Sequence, residues 1–237
     1  MPDGSLLLRT GFFALTALLT VGFTGAVWRV ARPRFGAALA GSLAWVALTG
    51  ALAMGGKLSF ETRPPTMIVA LLVMFVLVAL VGRSALGLRL AQGLPLALLV
   101  GFQGFRIAVE LLMHRAYTEG LMPVQMSYQG RNLDIVAGAT ALLVAAALAL
   151  GGPAPWTRWL AGAWNVLGVA LLANIVGVAM LSAPTPMRRF FNEPANTWIC
   201  RLPWVWLPTV FVACAALGHV LLTRRLLARA GRPTASV

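Results

Sequence analysis

The chain has 237 residues, of which 59% are hydrophobic and 11% are charged, with a net charge of +13 and a mean hydropathy of +0.84. A soluble domain carries about 25% charged residues, so this composition excludes an ordinary water-soluble fold. Apolar runs extend from end to end, without a polar block long enough to fold alone. We therefore predict that residues 1–237 form a single integral membrane domain.

Seven apolar runs approach or reach the roughly 20 residues that a helix needs to cross about 30 Å of hydrocarbon. In chain order these runs cover residues 6–28, 36–56, 67–82, 95–113, 134–151, 159–182 and 204–222. They predict an all-α integral membrane protein, a bundle of about seven transmembrane helices. Gly and Ala are frequent within the runs, as is typical of helices that pack closely in a bilayer.

Three features set the expected helix starts. The first run is long for a secretion signal and is followed by Trp28 and Arg29 without a small-residue cleavage site, so we expect it to remain as the first helix. The third run is expected to start near Pro64 and Pro65. Asn132 is expected to cap the fifth helix, whose dipole favours Asp134 in the first turn.

The fourth run carries an unusual set of polar side chains: Gln103, Arg106, Glu110 and, at its end, His114. On a helix with 3.6 residues per turn these side chains fall within an arc of about 80°, so they form one stripe. Ionisable groups at membrane depth are costly and are usually turned toward protein or water. The stripe is therefore expected to face the bundle interior.

The stripe has a structural and a functional interpretation. Arg106 and Glu110 are four residues apart, so they could simply neutralise each other within the bundle. Alternatively, they form a binding site or a proton path. We favour the functional interpretation because stability alone is a weak reason to bury an ion pair in lipid.

The three long connections, residues 57–66, 114–133 and 183–203, all lie on one side of the predicted bundle. Long loops on a rigid scaffold are where binding and catalysis concentrate. We therefore predict an outward-opening polar pocket at this end of the fourth helix. Its expected lining is Gln103, Arg106, Glu110, His114, Glu119, Arg131, Asp134, Arg189 and Glu193.

Basic residues flank the runs unequally, with ten on one side and eight on the other. The ten are Arg29, Arg32, Arg34, Arg83, Arg89, Arg158, Arg224, Arg225, Arg229 and Arg232. The eight are Arg9, Lys57, Arg63, Arg115, Arg131, Arg188, Arg189 and Arg201. The positive-inside rule therefore predicts an outside N-terminus and a cytoplasmic C-terminus, in a bacterial-type cytoplasmic membrane.

The basic residues stand singly at helix ends and not in a stripe with interleaved aromatics, so they favour anionic lipid over nucleic acid as a partner. Tryptophans are expected at both membrane interfaces. We place Trp28, Trp156 and Trp159 at the inner interface, and these three at the outer one: Trp198, Trp204 and Trp206.

Cofactor chemistry has little support in the sequence. Cys200 and Cys214 are separated by about 20 Å of mostly helical path, too far for a disulfide. Glu110 and His114 could supply two metal ligands, but His219 is expected at another depth and no complete metal motif exists. The single lysine, Lys57, lies outside the last helix, which argues against a retinal Schiff base.

Three functions remain open. The first is binding or transport of protons or a small polar or anionic solute, with Asn165 or Asn174 extending the polar path. The second is a membrane-embedded enzyme acting on a lipid-linked or amphiphilic substrate at the outer face, with Glu110 or His114 as general base and Arg106 or Arg131 holding an anionic group. The third is a non-catalytic membrane partner whose polar residues fix helix packing.

Overall fold

The computed structural model describes residues 4–230, with side chains up to residue 228. This part of the chain contains nine α-helices and no strand. The helices are α1 (Leu6–Ala31), α2 (Phe35–Met54), α3 (Thr66–Arg83), α4 (Ala85–Gly93), α5 (Leu96–Gly101), α6 (Phe105–Thr118), α7 (Asp134–Gly151), α8 (Pro155–Ser182) and α9 (Val212–Ala230). The prediction of a helical membrane bundle is confirmed.

Six helical segments of the described chain are long and apolar enough to cross a membrane, and the first, Leu6–Met54, has 49 residues. A straight helix of that length would measure about 74 Å, more than twice the hydrocarbon thickness. The backbone leaves the helical region at Ala31 (φ −150°, ψ 48°), before a short 3₁₀ turn that contains Pro33. Because proline has no amide hydrogen and its ring would clash with the carbonyl four residues earlier, a single helix cannot continue regularly through Pro33; α1 and α2 are separate crossings, and the bundle has seven.

The crossings alternate between two ends of the bundle. Residues 55–65, 119–133 and 183–206 lie at one end, called here the long-loop end; the tight connections around Pro33, Ser84 and Gly152 lie at the other, the short-loop end. α5 and α6 form one crossing, Leu96–Thr118, joined by the 3₁₀ turn Phe102–Gly104. A π-helical segment, Leu207–Phe211, leads directly into α9.

Side-chain caps are present at the starts of α1 and α7. The Ser5 hydroxyl accepts a hydrogen bond from the Leu8 amide at 3.3 Å, and Asn132 Oδ1 accepts one from the Asp134 amide at 3.0 Å. Each cap pairs a helical N–H that has no partner within its own helix. The expected capping role of Asn132 is therefore present, although Leu133 separates it from the first helical residue.

The pattern of long apolar runs does not predict α4, a nine-residue helix at the short-loop end. Ser84 caps it by accepting a hydrogen bond from the Gly87 amide at 3.1 Å. Leu90 and Ala91 are buried, whereas Arg89 is exposed. The segment is too short to cross a membrane, so a search for long apolar runs treats it as a connection.

An aromatic cluster fills the long-loop end of the bundle. The Phe12 ring centroid lies 4.8 Å from that of Trp204, 5.4 Å from that of Phe211 and 6.0 Å from that of Trp198. Trp198, Trp204 and Trp206, which were expected at the outer interface, are at most 6% exposed and therefore pack within the protein. The last long connection folds back over the bundle and buries them, whereas Trp28, Trp156 and Trp159 are exposed.

Candidate functional site

Arg106 of α6 is held in the bundle interior by Asp134, the first residue of α7. Arg106 Nε donates to Asp134 Oδ2 at 2.7 Å, and the NH2 group donates to Asp134 Oδ1. The two residues are 1% and 6% exposed. Such two-point pairing matches the planar guanidinium to the carboxylate and fixes the relative position of the two helices. The ion pair expected within α6, between Arg106 and Glu110, does not form.

The remaining nitrogen of Arg106 reaches the two last membrane helices. NH1 donates to the Gly168 carbonyl of α8 at 3.3 Å and lies 3.2 Å from His219 Nε2 of α9. A side chain at Gly168 would collide with the imidazole, because an added Cβ would lie 2.4 Å from His219 Cε1. Glycine at this position therefore allows α8 to approach the arginine and the histidine closely.

His219 continues a polar chain toward the short-loop end. Its Nδ1 lies 2.9 Å from Asn165 Oδ1, and Asn165 Nδ2 donates to the Thr223 hydroxyl at 2.8 Å. The Trp164 ring stacks on the imidazole with centroids 5.5 Å apart. Thr223 is exposed at the bundle surface, so a connected series of polar side chains runs from buried Arg106 to the surface.

Glu110 lies one helical turn from Arg106, toward the long-loop end. Asn132 Nδ2 donates to both carboxylate oxygens, at 2.8 and 2.7 Å, and to the Met126 carbonyl at 3.0 Å. Glu110 is 1% exposed, and none of the three ion pairs in the described part of the chain includes it. The protein therefore buries this carboxyl group against an amide and without a direct ion pair.

A cavity of about 70 Å³ lies next to this cluster. Arg106, Glu110, Asp134 and Asn196 line it, together with mostly apolar side chains from α3, α6, α8 and the segment that leads into α9. Asn196 is 1% exposed, and its Oδ1 has no hydrogen-bond partner. The cavity thus combines an apolar wall with one guanidinium group, two carboxyl groups and one unused acceptor.

His114 ends the stripe but does not line this cavity. Its ring stacks on Tyr128 with centroids 4.4 Å apart, and its Nδ1 is buried without a hydrogen-bond partner. Gln103, at the other end of the stripe, is fully buried and donates to the Ala215 carbonyl at 3.0 Å, while its Oε1 is unpaired. The stripe faces inward as predicted for Gln103, Arg106 and Glu110, with His114 packed under the second long loop.

The other expected lining residues lie elsewhere at the long-loop end. Glu119 pairs with Arg115 and accepts hydrogen bonds from the backbone and side chain of Ser5. Partial burial raises the pKa of Glu119, but the hydrogen bonds from Ser5 and Arg115 outweigh it and lower this pKa. Arg131 stacks on Phe190, 5.1 Å from the ring centroid.

The last long connection contributes Asn196 to the cavity and not the two charged residues that we expected. Glu193 is exposed and pairs with Arg188 at 2.8 Å; this bond and the Ala195 amide lower the Glu193 pKa. Arg189 is also exposed, with its NH1 directed to the Arg188 carbonyl at 3.4 Å. The structure therefore does not bring Glu193 or Arg189 to the cluster.

Two residues of the cluster, Asn165 and His219, were not predicted from the sequence to contact Arg106 or each other. Asn165 was one of two possible extensions and is the one that joins, while Asn174 donates to the Arg131 carbonyl at 2.8 Å. His219 was considered only as a metal ligand. His219 is an ionisable residue within an apolar run, and such a residue is by itself a reason to expect a buried polar partner. Among the described residues, no three His, Cys, Asp or Glu side chains come close enough to hold a metal ion.

The fold defines a multi-pass helical membrane protein whose interior holds a charged cluster. Searches of protein families, of curated proteins and of solved structures find no match to this chain.

Proposed function

We propose that this protein binds a proton, or a small solute with a cationic or hydrogen-bond-donating group, at Glu110 and helps to move it across the membrane. One observation carries the proposal. Glu110 is 1% exposed, lines a cavity and has no ion-pair partner in the described structure. A carboxyl group that is buried without a direct ion-pair partner is costly as an anion, so a bound proton or cationic group would stabilise it.

The charge balance of the cluster supports a proton or cation over an anion. Arg106 already donates to Asp134, Gly168 and His219, so its guanidinium has little capacity left for an anionic ligand. The unused polar atom in the cavity wall is Asn196 Oδ1, an acceptor. A ligand that donates hydrogen bonds would satisfy this oxygen and Glu110 together.

The size of the cavity and the polar chain beyond it support transport of a proton or a small solute. A cavity of about 70 Å³ is large enough for water or a small solute. From the cluster, His219, Asn165 and Thr223 connect Arg106 to the short-loop end. Intramembrane chains of His and carboxyl groups are a recurring basis of proton relays.

We also infer the orientation. All the arginines around Pro33, Ser84 and α4 lie at the short-loop end, where the described chain has no acidic residue. The positive-inside rule supports a cytoplasmic position for this end and an outward position for the long-loop end. In this orientation the cavity lies toward the outside and the polar chain leads toward the cytoplasm.

The test compares Glu110→Gln with Glu193→Gln in liposomes. Both variants remove one carboxylate, but Glu193 is exposed in a loop, so it controls for charge and reconstitution. A potassium gradient with valinomycin drives proton entry, which an enclosed pH-sensitive dye reports. We expect uptake by the unmodified protein and by Glu193→Gln, and uptake at the level of empty liposomes for Glu110→Gln.

Infrared spectroscopy tests the proton site independently of flux. A protonated Glu110 should give a carboxyl C=O band that changes with pH and is absent from Glu110→Gln. If no such band exists and the unmodified protein conducts no more protons than empty liposomes, the cluster serves helix packing and the proposal fails.

A further inference from the structure

A second and larger space lies between α1, α2, α3 and α9, separate from the charged cluster. This groove has a volume of about 640 Å³. It forms because α2 contacts the bundle mainly through its last turns, where Thr49, Gly50 and Ala53 are buried. The first half of α2 lies away from α3 and presents small residues to the gap, among them Ala38 and Gly41.

The groove walls suit an apolar occupant. The four hydroxyl groups in the lining already donate to backbone carbonyls three or four residues earlier: Thr20 to Thr16, Ser42 to Ala38, Ser84 to Val81 and Thr209 to Val205. Trp45 Nε1 donates to the Thr209 carbonyl at 2.9 Å. None of the buried unpaired polar atoms in the described chain belongs to the groove. An occupant therefore needs no hydrogen bonds along most of its length.

The groove ends at a cationic group. Arg34 lines the short-loop end, is exposed, and makes no ion pair or hydrogen bond with the described residues. Ser84, which also lines the groove, accepts a hydrogen bond from Arg224 at its carbonyl at 2.9 Å. No acidic residue of the described chain lies at this end, so an anion there would meet only positive charge.

The length of the groove matches one membrane leaflet. From Arg34 to Trp45 it follows eleven residues of α2, about 17 Å at 1.5 Å per residue. One leaflet contributes about 15 Å to a hydrocarbon core of about 30 Å. We propose that the groove holds an acyl chain of an anionic phospholipid from the leaflet at the short-loop end, with the lipid phosphate against Arg34.

The test measures lipid retention. The protein is extracted in detergent, mixed with equal amounts of phosphatidylglycerol and phosphatidylcholine of the same chain length, and analysed by native mass spectrometry. The unmodified protein should retain more phosphatidylglycerol than phosphatidylcholine. Arg34→Gln should lower this preference roughly fivefold, the amount expected from one arginine near an anionic surface. Arg9→Gln removes an exposed charge at the opposite end and should leave the preference unchanged.

A second pair of variants tests the acyl chain. Gly41→Leu places a side chain in the groove, where an added Cβ has no neighbour within 4 Å, and should expel the bound lipid. Gly177→Leu is the matched control, because its Cβ also meets open space but lines neither cavity.

Three results would overturn the proposal. One is an unchanged lipid preference in Arg34→Gln, and another is full lipid retention in Gly41→Leu. The third is a change in oligomer mass for Gly41→Leu, measured by light scattering, without a change in bound lipid. That result would assign the groove to contact between copies of the chain.

Discussion

The pairing of Arg106 with Asp134, and not with Glu110, gives a quantitative prediction. Arg106→Met leaves a carboxylate that is 6% exposed without its cation. Breaking a buried ion pair in this way costs roughly 3–5 kcal/mol. For a chain of this size 1 kcal/mol corresponds to about 2–4 °C in melting temperature. We therefore expect a fall of roughly 6–20 °C for Arg106→Met, and a similar fall for Asp134→Leu.

The double variant Arg106→Met/Asp134→Leu should be milder than the sum of the two single variants. It leaves no unpaired charge, and the remaining cost comes from the Gly168 carbonyl and His219, which lose one donor at about 1 kcal/mol each. The difference between the sum and the double variant is the coupling energy of the pair.

Thermal unfolding in one detergent, followed by the fluorescence of the buried tryptophans, measures all variants. Arg106→Met/Glu110→Met is the matched comparison, because these residues share a helix face but form no ion pair. The coupling energy between Arg106 and Glu110 should be clearly smaller than the coupling energy between Arg106 and Asp134. Additive effects for Arg106 and Asp134, with strong coupling between Arg106 and Glu110, would refute the arrangement described above.

Two further predictions concern packing and orientation. Gly168→Ala should lower the melting temperature, because its Cβ would lie 2.4 Å from His219 Cε1, whereas Gly177→Ala, whose Cβ meets open space, should not; equal effects would contradict the close approach of α8 to His219. An impermeant thiol reagent applied to intact cells should label a cysteine placed at exposed Thr118 and should not label one at the C-terminus, in a background where Cys200 and Cys214 are replaced. Labelling of the C-terminal cysteine from outside would reverse the orientation.

The number of crossings and the inward face of the stripe could be predicted from sequence because both follow from local rules. An apolar run of about 20 residues spans the hydrocarbon core whatever surrounds it. Helical periodicity likewise places Gln103, Arg106 and Glu110 on one face, and the cost of charge in lipid turns that face inward. The helix α4 could not be predicted in this way, because its nine residues satisfy neither rule.

The partners of each polar residue depended on which helices lie side by side. Asp134 of α7, Gly168 of α8 and His219 of α9 are 28, 62 and 113 residues from Arg106 along the chain. Sequence spacing favoured Glu110 because it is one turn away on the same helix. The packing of α7 against α6 instead places the Asp134 carboxylate where it accepts hydrogen bonds from two nitrogens of the Arg106 guanidinium. Such two-point pairing is stronger and more specific than a single hydrogen bond.

The same reason explains the tryptophans and the long loops. Composition indicates that Trp198, Trp204 and Trp206 belong near a membrane surface, but only the folded connection decides that they point into the bundle around Phe12. The sequence alone determined the membrane class, the crossings and the buried stripe. The tertiary structure decided which side chains meet, because contacts between helices depend on packing across the bundle and not on periodicity within one helix.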